Sequence, residues 1–344
     1  MDPHIHASTE ARIVFPEPDR DNDRSTTISP REICPWPQDV RITHQYDLPA
    51  HVLVATLANR RLLDISNDQW DKFAPAFMKL AKDGPGVVPA QNMVKVASEA
   101  FHFSYASTIL DIGCGPGQVT AAALEAHGSE LPETSRVVAL DLSPVMIQQV
   151  ENRKKTEIEN GDTLWNKVEP MTCNCTDLSA FPDNSVSHAF AAFVLFMVPQ
   201  ARVALNEIRR VLTNENGGGI VALGSWQGSE WIELMSFVSK VRPEKSVPKM
   251  PTWATLEGVR GELEATGFRD IEVHTVESFM PFDDYDEIAR FILTQFPGMN
   301  KMTSDMSREE LEKVRNLMVE FIKSRHPVAP GRLTGIAIVG VGRK

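Results

Sequence analysis

The feature that most constrains this chain is a glycine-rich segment at residues 109–117, which reads ILDIGCGPG. It follows a short apolar stretch that predicts a strand, and it precedes a helical pattern that begins at Gln118. Glycine has no Cβ, so the backbone at Gly113, Gly115 and Gly117 can turn tightly and approach a ligand closely. The helix start adds unpaired N–H groups. The segment therefore predicts a ligand-binding turn in an α/β fold.

Two common phosphate-binding turns do not fit this segment. A P-loop requires Lys and then Ser or Thr after its last glycine, but Gln118 and Val119 stand there. A dinucleotide fingerprint would place its third glycine at position 118, so Gln118 disfavours a nicotinamide oxidoreductase. Asp111 would also repel a pyrophosphate. Its carboxylate suits a ligand that carries a positive charge, such as a sulfonium or an ammonium.

A second acidic residue, Asp141, ends the next predicted strand. A carboxylate at this position can accept hydrogen bonds from ribose hydroxyls, as in other α/β folds that bind nucleosides. A nucleoside that also carries an amino acid and a sulfonium is S-adenosylmethionine. Together, the glycine turn, Asp111 and Asp141 predict S-adenosylmethionine as the cofactor.

Strand and helix patterns alternate through the middle of the chain, which predicts a parallel sheet covered on both faces. The predicted strands are Thr108–Ile112, Arg136–Asp141, Val186–Ala192 and Gly219–Ser225, and the helices between them are Gln118–His127, Pro144–Lys154 and Ala201–Leu212. Further along, the predicted elements are a helix capped by Thr255, a strand Asp270–Val276, a helix begun by the capping box Ser307/Glu310, and a last strand Leu333–Gly342.

The predicted domain organisation is a leader followed by one large domain. Residues 1–65 are rich in proline and contain a charged stretch, so we expect a partly disordered or lid-forming leader. Residues 66–344 form the predicted domain. Its first amphipathic stretch, residues 69–82, contains Pro75, which predicts a kink or a break in that helix.

Composition excludes several classes of function. With 35 basic and 46 acidic residues the net charge is −11, which disfavours nucleic acid as a partner. Four cysteines are too few for a disulfide scaffold, and Cys173 and Cys175 lack a second ligand pair, so no metal is predicted. The longest apolar run, residues 189–198, is too short for a membrane span, and no secretory signal is visible. We expect a cytoplasmic protein, and the oligomeric state stays open.

The chain resembles the class I S-adenosylmethionine-dependent methyltransferases, in particular the small-molecule branch with the ubiquinone/menaquinone and secondary-metabolite enzymes. Besides the glycine turn, the likeness rests on VVALDLS at 137–143, DLSAFPDNS at 177–185 and ALNEIRRVL at 204–212. It implies a Rossmann-like, doubly wound sheet of seven strands, mostly parallel with the last strand antiparallel. A helical N-terminal extension and a helical cap at about 279–330, before the last strand, complete the expected fold.

The resemblance also implies the cofactor-binding residues. Those that would wrap the methionine part are Asp111, Gly113, Gly115 and Gly117. Those that would hold the nucleoside are Asp141 at the ribose, Leu142 and Met146 on the faces of the adenine, and Asn174 and Cys175 at its edge. Phe193 would lie near the methyl donor. The sequence departs from the branch at Asn174 and Ser187, which replace Asp, and at Phe196, where His is frequent.

The expected reaction is an in-line methyl transfer that releases S-adenosylhomocysteine. An apolar segment at 193–199, FVLFMVP, suits a small apolar or aromatic acceptor, with oxygen favoured and nitrogen or carbon open. The aromatic residues expected to line the acceptor pocket are Trp70, Phe73, Phe196 and Trp226. No His–carboxylate pair is visible, so no catalytic residue is predicted. The alternatives are a cyclisation or elimination that uses bound cofactor without methyl transfer, and a cofactor-binding regulatory protein.

Overall fold

A computed structural model describes residues 67–247, 251–296 and 298–344, so the predicted leader lies outside the described residues. The strands of this part are β1 Thr108–Ile112, β2 Arg136–Asp141, β3 Val168–Thr172, β4 His188–Ala192, β5 Ile220–Ser229, β6 Arg269–Phe282 and β7 Gly331–Arg343. They form one seven-stranded sheet with the order β3-β2-β1-β4-β5-β7-β6. The strands β1 to β5 pair in parallel, and β7 is antiparallel to both β5 and β6. The predicted fold class is confirmed.

Helices surround this sheet. Those that precede β6 in the chain are α1 Asn67–Leu80, α2 Val87–Ala100, α3 Gln118–His127, α4 Pro144–Glu159, α5 Ala201–Val211, α6 Glu230–Met235, α7 Val238–Val241 and α8 Leu256–Ala265. Three more lie between β6 and β7, namely α9 Tyr285–Gln295, α10 Met299–Thr303 and α11 Arg308–Arg325. Within the part of the chain that the structure describes, no helix is long and apolar enough to cross a membrane.

Three apolar cores hold these elements together. One lies under α2, α3 and α4 on the first face of the sheet, and a second lies under α5 and α8 on the other face. Because both faces are covered, β1, β2 and β4 are almost continuously apolar. The third core joins α6 and α7 to the three helices between β6 and β7.

Three local expectations differ from the structure. The predicted break at Pro75 is wrong, because α1 continues through Pro75, whose side chain is exposed to solvent. The strand β3 was not predicted, since Glu169 and Pro170 interrupt its apolar pattern. Pro170 is tolerated because β3 is an edge strand, where a missing N–H donor breaks no ladder. The sixth strand extends to Phe282, six residues beyond its predicted end, because it pairs with β7 over that whole length.

Candidate active site

The predicted cofactor residues lie where four neighbouring parallel strands end. Asp111 belongs to β1 and is followed by the three glycines, and Asp141 is the last residue of β2. The others follow the same edge: Leu142 and Met146 after β2, Asn174 and Cys175 after β3, and Phe193 after β4. Carboxyl ends of parallel strands are where open α/β sheets bind ligands. The fold therefore brings the ten residues to one edge of the sheet.

The glycine turn requires glycine for two separate reasons. Gly113, Gly115 and Gly117 have φ angles of +64°, +52° and +78°, in the left-handed region that residues with a Cβ rarely adopt. Close packing adds a second constraint. A Cβ on Gly113 would lie 2.6 Å from Cγ2 of Val194, and one on Gly115 would lie 2.9 Å from Cε1 of Phe77. Side chains from after β4 and from α1 thus approach the turn directly.

Asp111 is buried beside this turn, with 1% of its surface exposed. Its Oδ2 accepts from the backbone N–H and the hydroxyl of Thr120, at 2.9 and 2.7 Å. Its Oδ1 is buried without a hydrogen-bond partner. Burial raises the pKa of Asp111 to about 6, although the bonds from Thr120 act in the opposite direction. A buried carboxylate oxygen without a donor is the kind of group that a ligand N–H or ammonium would satisfy.

Asp141 holds the turn from the neighbouring strand. Its Oδ2 accepts from the N–H of Gly115 and its Oδ1 from the N–H of Ser143, both at 2.9 Å. Burial raises the pKa of Asp141, and these backbone bonds partly offset the effect. The two carboxylate oxygens together have four lone pairs, so Asp141 can still accept from a hydroxyl.

The residues expected around the adenine differ in accessibility. The side chain of Leu142 is exposed, with 46% of its surface accessible, whereas Met146 in the first turn of α4 is only 2% exposed. Asn174 accepts from the N–H of Thr176 through Oδ1 at 3.1 Å, so that oxygen already stabilises its own turn. Cys175 is half-buried, and burial raises its pKa to about 11, which keeps it a neutral thiol. Leu142 is therefore the accessible apolar member of the set.

Aromatic side chains form two groups at this edge. Phe193 has a φ of +57°, unusual for a residue with a side chain, and its ring stacks on Trp226 at 4.1 Å between centroids. Trp226 in turn meets Trp231 edge-on at 5.1 Å. On α1, Trp70 contacts Phe73 at 6.0 Å. Strained backbone at a functional site is held by its surroundings, here by the bond from the N–H of Phe193 to Gly224.

The third core connects the two aromatic groups. Phe77, which stacks on Phe73 at 5.2 Å, and Trp226 both pack against this core. Its remaining members include three methionines from the helices between β6 and β7, namely Met299, Met302 and Met318. Phe196 lies half-buried in a short 3-10 turn, Leu195–Met197, which follows Phe193 in the chain and precedes α5. The walls next to the glycine turn are thus mainly apolar.

The structure contains a His–carboxylate pair that the sequence did not reveal. His326 and Glu230 are joined at 2.9 Å between Nε2 and Oε2, although they are 96 positions apart in the chain. Glu230 also accepts from the N–H of Thr334 at 2.6 Å, so the pair fastens the end of α11 to α6 and β7. No sequence spacing signals such a contact. Among the described residues, no group of three or more His, Cys, Asp or Glu could hold a metal ion.

Comparison with known proteins identifies the domain. Residues 110–222 match the Methyltransf_11 family, described as a methyltransferase domain. Methyltransferase ucsB of Acremonium sp is 29% identical over 276 residues, which are 80% of this chain and 94% of that protein. Acetylaranotin bis-thiomethyltransferase of Aspergillus terreus is 25% identical over 177 residues, 49% of this chain and 56% of the relative.

A solved structure, phosphoethanolamine N-methyltransferase 2 of Haemonchus contortus in complex with S-adenosyl-L-methionine, aligns with a TM-score of 0.41. Its sequence identity to this chain is 18%, and the alignment covers 73% of this chain and 52% of the other. The match of residues 110–222 to a methyltransferase domain, together with relatives named methyltransferases, confirms the resemblance recognised in the sequence.

Proposed function

We propose that this protein uses S-adenosylmethionine to methylate a small, largely apolar or aromatic acceptor, in secondary metabolism. The observation that carries the proposal is Asp111, buried beside three left-handed glycines with an unpartnered Oδ1. A carboxylate in that position fits a cationic ligand far better than a phosphate, because two anions would repel one another at short range. This favours S-adenosylmethionine over a dinucleotide.

Different residues of the site would bind different parts of the cofactor. Asp111 would accept from the amino group of the methionine part, and Asp141 would accept from the ribose hydroxyls with its free lone pairs. Leu142 would cover one face of the adenine. When bound, S-adenosylmethionine supplies an electrophilic methyl group on a sulfonium. The stacked rings of Phe193 and Trp226 would face that positive charge, which aromatic faces attract.

Methyl transfer needs alignment more than covalent assistance. Positioning of the acceptor atom in line with the methyl and the sulfur can supply roughly 7–11 kcal/mol of the barrier. The apolar third core and the aromatic pair would exclude water from the acceptor, which strengthens the remaining electrostatic contacts. Trp70, Phe73, Phe196 and Trp226 are the residues that we propose for the acceptor pocket.

The apolar walls of the site favour an apolar or aromatic acceptor, and we propose oxygen as the methylated atom. A general base is needed only where the acceptor must lose a proton, as a phenol or an alcohol must. The relative from Aspergillus terreus is named a thiomethyltransferase, so sulfur joins oxygen, nitrogen and carbon as an atom to be tested. The acidic net charge of −11 favours a small molecule over a nucleic acid, and a cytoplasmic location stays a prediction.

The test uses tritium-labelled methyl groups. We expect label to move from S-adenosylmethionine to a small-molecule fraction of a metabolite extract, with one S-adenosylhomocysteine released per methyl. The variant Asp141→Ala should bind S-adenosylhomocysteine about 30- to 150-fold more weakly, because bonds to a charged group contribute about 2–3 kcal/mol. Tight cofactor binding without label transfer to any fraction would instead favour the cyclisation, elimination or regulatory alternatives.

A further inference from the structure

A chain of hydrogen bonds links α1 to the residues proposed for the nucleoside. Asp71, on α1, accepts through Oδ1 from the hydroxyl of Ser143 at 2.5 Å. Ser143 follows β2 and is the N-cap of α4, where its Oγ accepts from the N–H of Met146 at 3.1 Å. A serine hydroxyl can donate one bond while it accepts another. Ser143 therefore serves the helix cap and Asp71 at the same time.

The same chain continues to the glycine turn. The N–H of Ser143 donates to Oδ1 of Asp141, and the N–H of Gly115 donates to Oδ2 of the same carboxylate. Both oxygens of Asp141 are thus oriented by backbone donors on opposite sides. Burial raises the pKa of Asp141, and the nearby charge of Asp71 acts in the same direction. Asp71 is therefore close enough to Asp141 to influence it, with Ser143 between them.

The helix that carries Asp71 lies directly over the glycine turn. The ring of Phe77, further along α1, stands 2.9 Å from where a Cβ of Gly115 would be. Gln118, the first residue of α3, donates from Nε2 to the carbonyl of Leu80 at 3.3 Å. Asp71 and Leu80 thus attach α1 on either side of Phe77. Gln118, which stands where a dinucleotide fingerprint would have glycine, thus holds the end of α1 through its bond to Leu80.

We propose that Asp71 is a positioning residue for the nucleoside part of the cofactor. It acts through Ser143 on the carboxylate of Asp141. The inference rests on the proposed function. Asp71 is not needed for the cap of α4, because Ser143 accepts from Met146 with a lone pair that Asp71 does not use. Its hydroxyl-to-carboxylate bond is of the strong, charge-assisted kind, and it spans 72 positions of the chain.

The experiment measures the affinity for S-adenosylhomocysteine by isothermal titration calorimetry in a set of variants. We expect Asp71→Ala to weaken binding about tenfold, because a bond to a charged group is lost. The variant Asp71→Asn, which keeps an acceptor oxygen, should recover part of that loss. Asp83→Ala removes an exposed carboxylate three residues after α1 and should bind like the wild type. The double variant Asp71→Ala/Ser143→Ala should be no weaker than Ser143→Ala alone.

A comparison of two nucleosides separates positioning from a general effect on folding. Adenosine and 2′,3′-dideoxyadenosine, which lacks the ribose hydroxyls, are titrated as competitors of S-adenosylhomocysteine. If Asp71 acts through Asp141, Asp71→Ala should weaken adenosine about tenfold and leave the dideoxynucleoside unchanged. Equal weakening of both nucleosides, or additive losses in the double variant, would overturn the proposal.

The outcomes also distinguish this inference from the proposed function. If the wild type binds no S-adenosylhomocysteine, the proposed function fails and the inference fails with it. If the wild type and Asp83→Ala bind alike and Asp71→Ala binds just as tightly, only the role of Asp71 is wrong. Should Asp71→Ala not fold, Asp71→Asn carries the test, with a smaller but measurable loss for adenosine and none for the dideoxynucleoside.

Discussion

The carboxylate of Asp111 illustrates how a single residue can favour binding at the expense of stability. It is buried, it ionises only above a pKa of about 6, and one of its oxygens has no donor. An ionised group under these conditions destabilises the fold that contains it, because water solvated it in the unfolded chain. We interpret this cost as the consequence of a site prepared for a cation.

The first prediction concerns the pH dependence of Asp111→Asn. The pKa of Asp111 is raised from 3.8 to about 6 in the fold. The folded state therefore holds the proton of Asp111 more tightly than the unfolded chain does. The resulting contribution to the free energy of unfolding is present at low pH and is lost as the pH rises from about 4 to 6. The loss amounts to about 3 kcal/mol, from ~1.4 kcal/mol per pKa unit. Urea unfolding between pH 4 and 7 should show that Asp111→Asn gains stability relative to the wild type as the pH rises.

The same variant should have lost its affinity for S-adenosylhomocysteine, since an amide cannot neutralise an ammonium. A pH profile of unfolding that coincides with that of the wild type would mean that Asp111 titrates normally. Retained affinity would mean that the buried carboxylate does not bind the cofactor.

The second prediction concerns His188, whose titration acts in the opposite direction. Burial between Phe101 and Phe103 lowers its pKa from 6.5 to about 4, although the bond to the carbonyl of Phe101 acts against this shift. The unfolded chain thus binds the proton more readily, and stability is lost as the pH falls from 6.5 towards 4, by about 3 kcal/mol. His188→Gln, whose amide can still donate to Phe101, should remove this acid sensitivity.

The two titrations overlap between pH 4 and 6, so they should largely cancel in the wild type. Measured as the difference from the wild type, the free energy of unfolding should rise with pH for Asp111→Asn and fall with pH for His188→Gln. Two variants with the same slope would contradict both assignments.

At the scale of secondary structure, the sequence predicted the strands whose burial on both faces requires mainly apolar residues. The strands β1, β2 and β4 are buried on both faces, so a run of mainly apolar residues identified them. The strand β3 was not predicted, because Glu169 and Pro170 interrupt its apolar pattern. An edge strand tolerates both residues. The strand β6 was predicted too short, because its length is set by pairing with β7. The local sequence carries no information on that pairing.

The candidate site also contains residues that could be predicted from the sequence and contacts that could not. The glycine turn, Asp111 and Asp141 follow strand ends directly, so their positions could be predicted from the alternation of strands and helices. Contacts between distant segments could not. Asp71 meets Ser143 across 72 positions, and nothing in an amphipathic helix indicates which polar residue will face the site.

The third prediction belongs to α1 as an element. Pro75 lies inside this helix and is exposed, and it removes the N–H that would bond to the carbonyl of Asp71. Pro75→Ala should therefore raise the free energy of unfolding by about 1–3 kcal/mol, measured by urea titration. The affinity for S-adenosylhomocysteine should change less than twofold. A less stable variant would mean that α1 needs the distortion that Pro75 introduces.

At the scale of the whole molecule, one buried carboxylate adds polar contacts to the apolar packing that joins the third core to the sheet. Glu230, at the start of α6, accepts from His326 at the end of α11 and from the N–H and hydroxyl of Thr334 in β7. Although burial disfavours ionisation, these donors hold the pKa of Glu230 below its ordinary value. The helices between β6 and β7 thus depend on a polar junction as well as on apolar packing.

The fourth prediction concerns this junction. Glu230→Ala leaves the N–H of Thr334 and the ring of His326 without their acceptor, so we expect a loss of about 1–3 kcal/mol in unfolding free energy. Hydrogen exchange under native conditions should reveal the loss first in α9 and α11, while β1, β2 and β4 keep their protection. The matched control is Glu233→Ala on the same helix. Glu233 meets Arg325 near the surface at 3.3 Å, and its removal should cost under about 1 kcal/mol.

The elements in which Glu230→Ala speeds hydrogen exchange show which part of the fold the contacts of Glu230 stabilise. Faster exchange confined to α9 and α11 would mean that these helices open as a unit hinged at Glu230, which would let an acceptor enter from that side. In that case Glu230→Ala should raise the KM for the acceptor and leave the affinity for S-adenosylhomocysteine unchanged, because no proposed cofactor residue lies in these helices. Faster exchange spread evenly over the sheet would instead mean that the third core and the sheet unfold together, as one cooperative structure.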